Sequence, residues 1–109
     1  MAWLTSEGQV LASLEVASGV RDRTRGLLGR DGIEGALLLE RTRWVHTLGM
    51  RFAIDVAHLD ADRRVVRVCR MRPHRLGRPV LHARSVVEAE AGSFARWGLE
   101  PGSIVDIRD

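Results

Sequence analysis

The stretch Phe52-Ala-Ile-Asp-Val-Ala-His-Leu-Asp-Ala-Asp-Arg-Arg-Val-Val-Arg-Val-Cys-Arg-Met71 decides the fold. Residues 52–59 and 65–71 are β-rich runs, and the polar residues 60–63 between them form a turn, so the pattern is a β-hairpin. Pro73 ends the second strand, because it lacks the N–H that a ladder needs. Toward the N-terminus, residues 2–5 and 9–16 are short apolar-rich runs around Ser6-Glu7-Gly8, which predicts a second hairpin. There Val10, Leu14 and Val16 share one face, with Leu11 and Glu15 opposite. Ser18 is placed to cap a short helix over 19–28, with Val20, Thr24, Leu27 and Leu28 on one stripe and Gly29 as the stop. Residues 36–39, Ala-Leu-Leu-Leu, read as a buried strand.

Toward the C-terminus, residues 73–83 carry Pro, Gly and His without periodicity and read as a loop. A strand follows over 83–90. A short helix over 92–98 ends at Gly98, where a left-handed cap lets Leu99 pack back on Phe94 or Ala95. Pro101-Gly102 turns into a last strand over 103–107. The expected fold is a single α+β, β-rich domain over 1–109: a compact, barrel-like, antiparallel-rich sheet of six or seven short strands with two short helices. The expected core is Leu14, Val16, Leu27, Leu38, Ile54, Val56, Val66, Val87, Phe94, Leu99 and Val105.

Composition narrows the function classes. The chain has 109 residues, 45% hydrophobic and 28% charged, which are globular values and leave room for one modest core. One cysteine, Cys69, excludes an internal disulfide framework and a thiolate-rich zinc site. No apolar run reaches the ~18–20 residues that span a bilayer, and residues 1–10 do not read as a secretory signal, so the expectation is a cytoplasmic protein with no membrane contact. All 17 basic residues are Arg, and the formal net charge is +3. From Arg63 to Arg78 there are seven Arg and no acid, whereas from Glu88 to Asp109 there are five acids and two Arg. The molecule is expected to be polarised, with a basic region that attracts anions.

Five short motifs, in order, resemble the domain of unknown function 192 family, a group of uncharacterised small bacterial and archaeal proteins. They are Asp22-Arg-Thr-Arg-Gly-Leu-Leu-Gly-Arg30, His46-Thr-Leu-Gly-Met50 running on to Ile54-Asp55, Leu59-Asp60 with Arg64-Val65-Val66, Val86-Val-Glu-Ala-Glu-Ala-Gly92, and the glycines Gly98 and Gly102. The central motif is similar to the family branch written His-Thr-x-Gly-Met. Ser103 and Ala53 stand where that family usually has Asp and Pro. The resemblance implies a small barrel-like fold and no activity, since the family has no established biochemical function.

The candidate chemistry gathers in the central motif. His46 and Asp55 are of the types that make a general-base pair, with the acid fixing the imidazole tautomer; the structural alternative is that Asp55 and His46 or Thr47 close turns. No Ser or Cys sits in a nucleophile context. Glu88 interrupts an apolar run, so it either faces solvent or is half-buried against an Arg, for which Arg23, Arg25 and Arg51 are the natural partners. His46, Met50 and Cys69 are soft ligands without a metal signature, and neither a metal nor a cofactor is expected. The basic run contains no aromatic residue for base stacking, so sequence-specific nucleic-acid binding is not expected. The reading is a small ligand- or partner-binding domain with its site at His46, Thr47, Met50, Arg51 and Asp55, flanked by Arg23 and Glu88, where an Arg clamps a carboxylate or phosphate. The alternatives are an enzyme using His46 and Asp55, and weak non-specific polyanion binding through 63–78.

Overall fold

A computed structural model describes residues 1–109. Seven strands and two short helices follow in the order β1 (Ala2–Ser6), β2 (Gln9–Ala17), α1 (Val20–Arg25), β3 (Ala36–Glu40), β4 (Ile54–Leu59), β5 (Val65–Met71), β6 (Ser85–Glu90), α2 (Ser93–Trp97) and β7 (Val105–Arg108). They form one sheet in the order β5-β4-β6-β3-β2-β1-β7. All pairings are antiparallel except β2 with β3. The sheet curls until its two edges meet at one end, where the Val65 N–H donates to the Ser103 carbonyl and the Val105 N–H to the Arg63 carbonyl. This is the expected barrel-like, antiparallel-rich sheet. No helix is long and apolar enough to cross a membrane.

The hairpin that decided the reading forms between β4 and β5. Its turn is held by Asp60, whose Oδ1 accepts the N–H groups of Asp62 and Arg64, while Arg63 takes a left-handed φ of 60°. The first hairpin turns on Glu7 and Gly8, both at positive φ, the geometry whose twist matches two-residue hairpins. Gly98 caps α2 in the left-handed conformation, and the Leu99 N–H reaches back to the Phe94 carbonyl.

Both sheet faces are covered. Inside the curl, Leu4, Leu14, Leu38, Leu59, Val65, Val87 and Val105 pack with Phe94 and Leu99 at α2. Outside it, Leu37, Leu39, Ile54, Val56, Met71 and Val86 pack under Leu27, Val45 and Met50, which the connections before and after β3 supply. Consequently every residue of β4 is buried, as expected for a strand covered on both faces.

Four expectations need correction. Val16 and Val66 are exposed at 43% and 39%. In β5 a register shift falls at Val66, and such a bulge breaks the strict alternation from which it was placed inside. Val16 keeps the register of Leu14, opposite Leu38, so its exposure does not come from the shift near Ala12 in β2. The first helix stops at Arg25, with no side-chain cap from Ser18 and no buried residue, and Leu27 enters the core from the turn beyond it. Strands β4, β6 and β7 each begin two residues later than the sequence pattern suggests.

Candidate functional site

Alternation along β6 sends Val87 and Ala89 into the curl and Val86 and Glu88 to the outer face. Glu88 lies opposite Val56 of β4 and is 3% exposed. Over it passes the turn after α1, where Gly26 has φ +50° and a Cβ would stand 3.5 Å from Glu88 Oε1. No side chain or backbone group donates to the carboxylate, and no cation offsets its burial, so desolvation alone pushes the Glu88 carboxyl up to about 7. The expected Arg–Glu88 pair does not exist. Arg51 pairs with Asp31 at 2.9 Å on the surface, and Arg23 spends its Nη1 on the carbonyls of Glu40 and Arg41.

Glu88 opens into a cleft of about 920 Å³ between the α1 segment and the chain leaving β3. Leu27, Leu39, Val45 and Met50 give it an apolar base, and Val20, Leu28, Trp44 and Leu48 leave apolar surface exposed around it. Five arginines line it, against the one acid: Arg23, Arg25, Arg41, Arg43 and Arg84. Arg41 and Arg43 are braced on the carbonyls of Ser18 and Ala83. The Arg23 Nε is buried without a partner. His46 stands on the wall with its ring 5.5 Å from that of Trp44, and its Nδ1 accepts the Leu48 N–H, leaving Nε2 to carry the proton of the neutral ring.

Of the seven residues singled out from sequence, Arg23, His46, Met50 and Glu88 come together around this cleft; Thr47, Arg51 and Asp55 do not line it. Thr47 is fully buried and fastens the loop after β5: its hydroxyl donates to the Arg72 carbonyl at 2.6 Å and accepts the Arg75 N–H at 2.9 Å. Asp55 is on the inner face. Its Oδ2 accepts the N–H groups of Gly92 and Phe94 at the start of α2, and its Oδ1 accepts from Arg70 Nε at 3.1 Å. Asp55 therefore anchors the second helix, and His46 and Asp55 do not form an acid–base pair. Arg41, Arg43, Trp44 and Arg84 belong to the cleft and were not singled out. The sequence signal that points to the first three is Arg41-Thr-Arg-Trp-Val-His46, charged and aromatic residues directly ahead of the central motif.

A curled seven-stranded sheet with a cleft on its outer face defines a small barrel-like α+β fold. The chain belongs to the DUF192 family, described as an uncharacterized ACR, whose family model matches residues 2–107. No curated protein matches it. Among solved structures, it is similar to a protein of unknown function from Novosphingobium aromaticivorans, with a TM-score of 0.82, 21% identity, and coverage of 96% of this chain and 82% of that one. It is also similar to a candidate transcription regulator from Sinorhizobium meliloti, with a TM-score of 0.78, 21% identity, and coverage of 96% and 90%. At that identity the likeness concerns the fold.

Proposed function

We propose that the protein binds a small anionic molecule with an apolar body in the cleft over Glu88. The observation that carries the reading is an almost fully buried glutamate, at the base of an arginine-lined cleft, whose carboxyl receives no hydrogen bond from the protein. Buried polar groups in folded proteins are almost always hydrogen-bonded, and a lone carboxyl in an apolar floor costs stability that a purely structural residue would not impose. A ligand group supplies the missing partner. With its carboxyl near 7, Glu88 donates a hydrogen bond when protonated and accepts one when ionised. The arginines select negative charge on the ligand, and the exposed Trp44, Leu28 and Leu48 accept its apolar part. The volume lies within the roughly 300–1,000 Å³ typical of small-molecule sites.

The test is an amide and side-chain NMR titration against aromatic and aliphatic carboxylates and sugar phosphates. Saturable shifts at Gly26, Leu27, Val45 and His46, weakened about tenfold or more by Arg84→Ala or Glu88→Gln, support the reading. Compounds that bind without moving these resonances, or whose affinity ignores both substitutions, refute it. The sheet family to which the chain belongs carries no known reaction, and the separation of His46 from Asp55 leaves the enzyme reading without its catalytic pair.

A further inference from the structure

A second groove, about 420 Å³, lies between β5 and the loop that Thr47 fastens, with Val45 shared between it and the larger cleft. His58 lies in it. Alternation along β4 puts this imidazole on the outer face, in the series Ile54, Val56, His58. His58 is 3% exposed, and neither Nδ1 nor Nε2 has a hydrogen-bond partner. A neutral imidazole carries one N–H donor and one acceptor, so two polar atoms are left dry.

Arg67, Arg70, Arg72, Arg75 and Arg78 line the groove, and no carboxylate does. Arg70 is held by Asp55, and Arg75 turns to the carbonyls of Pro73 and His74. Arg67, Arg72 and Arg78 have no carboxylate partner. The groups facing His58 add no negative charge: burial pushes the Cys69 thiol up, away from its thiolate form. Burial and the neighbouring Arg67 keep His58 itself neutral.

We propose that this groove binds the terminal phosphate of a small molecule, held by Arg67 and Arg78 and reached from the floor by the His58 N–H. A phosphate offers three strong acceptor oxygens and close to two charges, whereas a carboxylate offers two oxygens and one charge. Three unpaired guanidinium groups and a dry imidazole match the phosphate. A terminal group is required because His58 lies at depth, where the backbone of a polymer cannot follow. The groove also has no aromatic platform on which the bases of a single strand would stack.

The experiment is a titration of the whole protein with inorganic pyrophosphate at low salt, read on the His58 ring resonances and the Arg Nε–H groups. The expected result is a saturable isotherm in which the His58 ring and the Arg67 and Arg78 side chains move together. Arg67→Ala with Arg78→Ala should weaken it about tenfold or more, while Glu88→Gln should change it less than about twofold. His58→Phe should abolish saturable binding without lowering the melting temperature, since it removes two unpartnered polar atoms. Non-saturating shifts with a silent His58 ring overturn the proposal. So does a single-stranded oligonucleotide that outcompetes pyrophosphate, because the basic face would then track a polymer. Loss of pyrophosphate binding in Glu88→Gln with Arg67 and Arg78 intact also overturns it, by moving the anion to the other cleft.

Discussion

Asp55 and Glu88 sit on neighbouring strands, one pair apart in register, and both are all but fully buried. Their fates differ because they face opposite sides of the sheet. Asp55 points into the curl, where the start of α2 presents two N–H groups and Arg70 a third donor. Glu88 points outward, where a glycine turn passes overhead and nothing donates. A buried carboxylate with its donors in place holds the fold together, whereas one without them is a cost that folding alone does not explain. Within one short stretch of sheet, the fold supplies donors to one buried acid and none to the other.

The substitution with the largest expected effect is Asp55→Ala. It leaves the Gly92 and Phe94 N–H groups unpaired at the start of α2, and should cost about 2–4 kcal/mol, read as a lower urea midpoint. An unchanged midpoint would make Asp55 as dispensable as the comparison says it is not.

Glu88 should behave in the opposite sense. Its carboxyl is pushed from 4.5 up to about 7 in the folded state, so the folded protein holds a proton that the unfolded chain has released between those values. Stability contributed through this group is complete below pH 4.5, falls as pH rises toward 7, and stays low above it. The whole drop is on the order of 3 kcal/mol at 1.36 kcal/mol per unit. Glu88→Gln should flatten that slope and raise the urea midpoint at pH 8. A destabilised Gln variant at pH 8 would mean that the carboxylate has a partner.

Thr47→Val removes the hydroxyl that bridges the loop after β5 and should cost about 1–2 kcal/mol in chemical denaturation. Arg51→Ala should change stability by less than about 0.5 kcal/mol in the same assay, since its ion pair with Asp31 is solvent-exposed. A large loss at Arg51 would return it to the structural network.

Hairpins, strand count and the α2 cap were legible because turns leave local chemical marks. Asp60 supplies a side-chain acceptor to its own turn, Gly8 takes positive φ, and Gly98 takes the left-handed cap. The first helix was read too long because its apolar stripe, Val20, Leu27 and Leu28, contains one core residue and two exposed ones. The cleft was half legible. Glu88 announced itself as an acid inside an apolar run, and His46 and Met50 through their motif. His58 carried the same kind of signal, a polar residue at a core-parity position between Val56 and the turn.

The amino-acid sequence by itself determined the local elements, the sheet-rich class and the family, since each depends on spacings within a few residues or on motifs in order. Only the tertiary structure decided which polar residues share a site. Asp55 lies closer in the chain to His46 than Glu88 does, yet Glu88 joins His46 in the cleft and Asp55 does not. The reason is the pleat: adjacent residues of a strand face opposite sides, and which side is donor-rich depends on what packs there. The early chain, through α1 and its Gly26 turn, covers the outer face, and α2 covers the inner one. No spacing within 46–55 encodes the placement of those two coverings, which come from residues 20–28 and 92–99.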